Sequence, residues 1–313
     1  MRIVTLTLSP AFDVHCAADG FRPYGESFVD IIRRDAGGKG VNISRALLAV
    51  GAPSTAVTVV GEENGEEFCR ALTAEGLTLR PIYVKGRIRE NITLHESERP
   101  ETRISFGGFS VEGSVLDDVR AAVGEVDSDT VVTFTGSVPE GLDVSRVLDM
   151  LRELRDKGAF VVIDSRSVSL DALIEFRPSL IKPNRAEAEK YMRRPLATPE
   201  DALLAARELC ERGVENVMIS LDSEGAVLAC PEGCYYATAP RIDALSTIGA
   251  GDSSIAGFID GRARGLSASE CLAGAVTFGS AACMTEGTMP PRAEDISALE
   301  ALVKVRSASE PSQ

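Results

Sequence analysis

Histidine is nearly absent from this chain: His15 and His95 are the only two in 313 residues. They lie far apart and fit no metal-binding spacing, which argues against a histidine-based triad or metal centre. Each reads as a structural residue or a pocket wall. Positive charge is also in deficit, with 33 Lys and Arg against 47 Asp and Glu and a net charge of -14. That balance argues against a nucleic-acid backbone or an anionic membrane as partner. It leaves room for a locally basic pocket that takes a phosphorylated small molecule. No apolar run approaches the roughly 20 residues of a membrane span. Met1 to Leu8 reads as a short strand and lacks the basic, apolar, small-residue layout of a signal peptide. Seven cysteines are scattered along the chain. Only Cys230 and Cys234 are close, spaced wider than a zinc knuckle and without a second pair. They read as reduced thiols, mostly in the core, of a cytoplasmic protein.

Among what is present, one stretch carries the most chemistry: Ser246-Thr247-Ile248-Gly249-Ala250-Gly251-Asp252, running into an apolar-periodic segment that reads as a helix. A glycine turn that opens a helix leaves backbone N–H groups without intrahelical partners. Those donors and the positive end of the helix suit a phosphate. Asp252 sits in the same turn, where a carboxylate repels a passively bound phosphate. Its place makes sense if it takes the proton from a hydroxyl that attacks a phosphoryl group. A first-turn capping acid is the other reading of the same residue.

A second glycine turn, Gly37-Gly38-Lys39-Gly40-Val41-Asn42, feeds an amphipathic helix that Gly51 ends. It is no Walker A loop, because Gly40 follows Lys39, and no dinucleotide fingerprint, because Ile43 holds the third glycine position. The first strand stops at Ser9-Pro10, and Asp13 follows near its carboxyl end, where open α/β sheets bind ligands. Residues 14 to 35 and 82 to 106 suit strands of a small accessory sheet. A strand (Thr55 to Gly61) and a helix (Gly65 to Ala74) lie between them. From about residue 107 strands and helices alternate. Val131 to Phe134, Phe160 to Ile163, Leu180 to Lys182 and Val217 to Leu221 read as strands, and Asp143 to Lys157 and Pro199 to Arg212 as helices. The last helices span Gly251 to Arg264 and Ser267 to Met284. Alternation of this kind predicts parallel βαβ units with helices on both faces. The tail beyond Ser307 reads as disordered.

Gly-Ala-Gly-Asp at 249–252 resembles the C-terminal motif of the ribokinase-like sugar kinases, in particular the phosphofructokinase B family. Ser-Pro-Ala-x-Asp at 9–13, Gly-Gly-Lys-Gly-x-Asn at 37–42 and Arg-x-Asn at 89–91 resemble further elements of that family. So do Gly-Ser-x-Pro at 136–139, Lys-Pro-Asn-x-x-Glu at 182–187, and the segment holding Ser220 and Gly225. They occur in the family's order from Ser9 to the final helix. Taken together they most resemble the 1-phosphofructokinase and tagatose-6-phosphate kinase branch.

The resemblance implies an α/β fold with three α/β/α layers, a mostly parallel central sheet and a small β-sheet lid. The main domain would take residues 1–10, 36–81 and 107–313, and the lid 11–35 and 82–106. It makes Asp252 the catalytic base and Gly249, Ala250 and Gly251 an anion hole. Asp13, Gly37, Gly38, Lys39, Asn42, Asn91 and Ser137 would hold the sugar, and Arg89 the phosphate already on it. Arg103 and Arg166 are further candidates for that phosphate. Lys182, Asn184, Ser220, Gly225, Thr247, Gly249 and Gly251 would border ATP. Glu187 would act on Mg²⁺ through water, and the resemblance leaves room for a monovalent cation. A homodimer formed through the lid is also implied. The expected reaction is ATP-dependent phosphorylation of a ketohexose phosphate, first of all fructose 1-phosphate to fructose 1,6-bisphosphate. Tagatose 6-phosphate, an unphosphorylated sugar or a nucleoside are rival acceptors. A non-catalytic sugar or nucleotide sensor on the same fold is the alternative from another class. A nicotinamide-linked oxidoreductase is disfavoured by the missing glycine fingerprint.

Overall fold

Short runs of β-branched residues divide their side chains between two apolar layers in this chain. Ile3 and Val131 belong to one buried cluster, and their neighbours Val4 and Val132 to the other. A strand covered on both faces reads as a continuous apolar run for that reason. In a computed structural model, described here for residues 1–96 and 99–307, these runs form the centre of the molecule. The tail beyond Ser307, expected to be disordered, lies outside the described residues.

The chain begins with β1 (Arg2–Thr7), β2 (Ala11–Ala17), β3 (Asp30–Gly37), α1 (Lys39–Ala49) and β4 (Thr55–Gly61). It continues with α2 (Gly65–Ala74), β5 (Thr78–Val84), β6 (Arg89–Glu96), β7 (Arg99–Ser105) and α3 (Val115–Val123). Then come β8 (Thr130–Thr135), α4 (Val144–Asp156), β9 (Phe160–Asp164), α5 (Leu170–Phe176) and β10 (Leu180–Ile181). Next are α6 (Arg185–Met192), α7 (Pro199–Glu211), β11 (Asn216–Ser220), β12 (Ala226–Cys230) and β13 (Gly233–Thr238). The described chain closes with α8 (Ala250–Ala263), α9 (Ala268–Cys283), α10 (Ala293–Glu300) and β14 (Lys304–Ser307).

Ten strands make the main sheet in the order β14-β13-β12-β11-β10-β9-β8-β1-β4-β5. From β11 to β5 every pair is parallel; β12, β13 and β14 add an antiparallel edge. Side chains of α1, α8, α9 and α10 join the cluster on one face, and those of α2, α3, α4 and α7 the cluster on the other. The three layers follow the expectation. The chain order reverses beside β1, between β4 and β8, so the strand ends diverge there and open a crevice.

A four-stranded sheet, in the order β3-β2-β6-β7, stands apart with its own small core of Val14, Cys16 and Leu94. Its boundaries differ from the expected ones at two points. Residues 82–84 pair with β4 and complete β5 of the main sheet, while Ala36 and Gly37 pair with β2 and end β3. A β-rich stretch does not reveal which sheet its strand joins, because both offer the same alternation. His15 and His95 stack within this small sheet, His15 Nδ1 lying 3.0 Å from His95 Nε2.

Candidate active site

The carboxyl ends of β1, β8, β9, β10 and β11 deliver side chains to one cleft of about 980 Å³ that the small sheet flanks. From the small sheet come Asp13, Arg89, Asn91 and Arg103; from the turn into α1 come Gly38, Lys39 and Asn42. Ser137 follows β8, Lys182 and Asn184 follow β10, and Glu187 sits in the first turn of α6. Ser220, Gly225, Thr247 and residues 249–252 complete the wall. Gly37 is the one candidate behind the wall: a Cβ there would lie 2.9 Å from Asp13 Oδ2. Its lack of a side chain lets Asp13 sit where it does.

The floor is built by α8. Gly249 caps it in the left-handed conformation (φ 78°), with no side chain capping the helix. Among the described residues neither the Gly251 nor the Asp252 amide finds a backbone acceptor, and the Ala250 amide reaches Thr247 O only at 3.4 Å. These are the free donors of a helix start, aimed into the cleft. A Cβ on Gly251 would stand 3.0 Å from Lys182 Nζ, so the glycine brings the helix entrance against a cation.

Asp252 is 5% exposed, and its Oδ2 accepts from Asn42 Nδ2 at 2.9 Å. Burial pushes its pKa up to about 6; Lys39 and the Asn42 bond oppose the shift and Asp164 adds to it. A carboxylate so placed is a base poised near neutral pH. Asp164, at the end of β9, lines the cleft too, and the sequence motifs left it unassigned. Its Oδ2 accepts from Lys39 Nζ at 3.0 Å and lies 3.9 Å from Lys182 Nζ. Burial alone would raise its pKa, but Lys182 and Lys39 hold it below the usual carboxylate range. Lys39 in turn is raised: burial works against its charge, but Asp164 and Asp252 outweigh that. On the lid side Asp13 Oδ1 accepts from Asn91 Nδ2 at 2.9 Å. Burial raises the Asp13 pKa, with the Asn91 bond opposing.

Among the described residues four buried polar atoms along this wall have no partner: Asn42 Oδ1, Asn91 Oδ1, Arg89 Nε and, further along, Thr288 Oγ1. Unpaired buried groups are costly and mark a place where a ligand completes the bonding. Two acceptors and a cationic donor ask for hydroxyls and an anion together. A base beside free amides asks in turn for a hydroxyl that attacks a phosphoryl group.

The family follows from comparison. Residues 11–295 match the sequence model of the pfkB family carbohydrate kinases, and the chain belongs to that family. It is 33% identical to the 1-phosphofructokinase of Escherichia coli (strain K12) over 268 residues, 83% of this chain and 84% of that one. It is 28% identical to the ATP-dependent 6-phosphofructokinase isozyme 2 of the same organism, over 92% of this chain and 94% of that one. Among solved structures, Escherichia coli phosphofructokinase-2 in complex with substrates and products superposes with a TM-score of 0.89 at 27% identity, covering 96% of this chain and 99% of that one. Sugar kinases of this family use ATP and Mg²⁺.

Proposed function

We propose that this protein phosphorylates a ketohexose phosphate with ATP, and that fructose 1-phosphate, giving fructose 1,6-bisphosphate, is its substrate. The observation that carries the reading is the set of unpaired buried atoms Asn42 Oδ1, Asn91 Oδ1 and Arg89 Nε beside two carboxylates. A sugar alone would satisfy the amide oxygens and leave Arg89 Nε unpaired. A sugar phosphate satisfies all three, the guanidinium fork matching phosphate oxygens. The name of the relative that is 33% identical supports the 1-phosphate. The name of the 28% identical relative supports a 6-phosphate as the second reading.

In the proposed reaction Asp13, Lys39, Asn42, Asn91 and Ser137 fix the acceptor with one hydroxyl towards Asp252. Asp252 takes the proton of that hydroxyl as its oxygen bonds to the γ-phosphorus. The bond from that phosphorus to the bridging oxygen breaks, and ADP leaves with the electron pair. The amides of Ala250, Gly251 and Asp252 hold the oxygens of the transferring group, with Lys182 beside them. Ser220, Gly225 and Thr247 border the nucleotide. The donor set fits Mg²⁺ held mainly by phosphates and water. Among the described residues no cluster of three metal-binding side chains exists, and Glu187 with Asn184 offers a single outer carboxylate. Bound Mg²⁺ would neutralise charge on the polyphosphate.

The lid also supports a homodimer. Phe28 is 83% and Ile31 68% exposed, an apolar surface that a second copy would cover. A coupled ADP-release screen over fructose 1-phosphate, fructose 6-phosphate, tagatose 6-phosphate and the free sugars tests the substrate. Turnover on fructose 1-phosphate above all others is expected. Turnover on free sugars alone would remove Arg89 from phosphate recognition.

A further inference from the structure

Arg166 and Glu187 stand where the cleft meets a second cavity of about 450 Å³, and both line both spaces. Each carboxylate oxygen of Glu187 is engaged. Oε2 accepts from the Asn184 amide at 3.1 Å, half of the capping box that starts α6. Oε1 accepts from Arg166 Nε at 3.0 Å. The two bonds differ in kind. The first is part of a helix start. The second joins a side chain that is 83% exposed to one that is 23% exposed, and an ion pair so open adds little stability and breaks readily.

Of the cations that line the cleft, Lys182, Lys39 and Arg166 differ in their freedom. Lys182 is buried, and Lys39 donates to the buried Asp164. Among the described residues the two terminal nitrogens of Arg166 have no hydrogen-bond partner. Arg166 is also close enough to Asp164 to help lower its pKa, so its charge already acts at the lysine pair beside the α8 entrance.

Building on the sugar-kinase reading, we propose that Arg166 is a movable ligand for the terminal phosphate of the nucleotide. In the free enzyme it neutralises Glu187. When the polyphosphate enters, the guanidinium leaves Glu187 and its fork takes γ-phosphate oxygens. Glu187 then faces the hydrated Mg²⁺ with Oε1 released. Each charge exchanges one partner for another, so no carboxylate is left uncompensated. The pair thus keeps Glu187 satisfied until the nucleotide supplies its replacement partner.

Calorimetric titration of ATP and of ADP, each with and without Mg²⁺ and with no sugar present, tests this on the full chain. Arg166→Ser should melt as the parent does, since the side chain is exposed. It should weaken ATP binding by roughly 10-fold, the low end for a charge-assisted contact, and ADP binding by less than about twofold. The Mg²⁺ concentration that half-saturates the ADP complex should fall, because Arg166 no longer competes for Glu187. Arg166→Lys should recover part of the ATP affinity. Equal losses for ATP and ADP, or no loss for either with an unchanged Mg²⁺ requirement, would overturn the proposal. A parent enzyme that shows these nucleotide effects while phosphorylating no sugar would sink the substrate assignment and leave this one standing.

Discussion

Asp252 and Asp164 are both buried in the cleft, yet their pKa values move in opposite directions, and the partners explain why. Asp252 rises to about 6 because burial outweighs Lys39 and Asn42. Its folded value lies above the ordinary 3.8, so its contribution to stability is fully present below about pH 3.8 and is lost as pH rises through about 6. At neutral pH the ionised group therefore costs about 3 kcal/mol, order of magnitude. Asp252→Asn removes that cost and keeps an oxygen for Asn42. The variant should melt higher than the parent at pH 7.5 and turn over at least about 10²-fold more slowly. Thermal melts and steady-state rates check both halves, and a lower melting temperature would refute burial as the cause. In the parent, kcat/KM should fall as pH drops through about 6. Asp164 is the reverse case: Lys182 and Lys39 lower its pKa, so its contribution is present above 3.8 and lost as acid protonates it below that. Asp164→Asn should destabilise the neutral protein by about 3 kcal/mol, the low end for breaking a buried pair because Lys39 is partly exposed. Denaturant titrations should show that difference shrinking towards low pH. Asp252 stood out because its glycine turn left two readings, a base or a capping acid, and Asn42 stood out only through its place in the resembled Gly-Gly-Lys-Gly-x-Asn motif. Asp164 did not, because its meaning comes from Lys39, 125 residues away.

The helix that builds the floor, α8, packs against α9 through facing glycines. A Cβ on Gly257 of α8 would collide with the backbone carbonyl of Gly274 in α9, and one on Gly274 would lie 2.9 Å from Gly257 O. Only paired glycines allow this crossing, midway along α8. Alanine is the better helix former by up to about 1 kcal/mol, so propensity alone predicts that Gly257→Ala stabilises. The collision should win. Overpacking of this kind costs about 1–3 kcal/mol, and the displaced helix should lower turnover with little change in KM. Chemical denaturation and steady-state kinetics read the two effects. Helices α8 and α9 showed as apolar stretches too long for a strand, and the strands β8, β9 and β11 showed as continuous buried runs. The edge formed by β12, β13 and β14 escaped notice. Its outer strand alternates only weakly, and β13 shows just one fully buried residue, Ala237.

The proposed homodimer rests on the small sheet. Register places Asp13, Asn91 and Arg103 on the face turned to the cleft, and Ile31, Ile92 and Ile104 on the opposite face. One side is thus polar and lines the cleft; the other carries Ile31 and Ile104 exposed. The buried core of the sheet, Val14, Cys16 and Leu94, lies on this same apolar face and is small for a sheet that carries Asp13 and Asn91 on its other side. A second copy covering the apolar side would stiffen it, so dimerisation and sugar binding should be linked through the lid. Ile31→Glu combined with Ile104→Glu puts like charges into that contact. Sedimentation should find the parent a dimer at micromolar concentration and the double variant a monomer. The variant should keep its melting transition for the main domain, whose clusters do not include these residues. Its KM for the sugar phosphate should rise by about 10-fold or more, the order of one lost tenfold-scale interaction, with nucleotide affinity nearly unchanged. That split matters, because Gly249, Gly251 and Thr247 belong to the main domain while Asp13, Arg89 and Asn91 belong to the lid. A parent that sediments as a monomer, or a monomeric variant with parental KM, would separate the lid's apolar face from substrate binding.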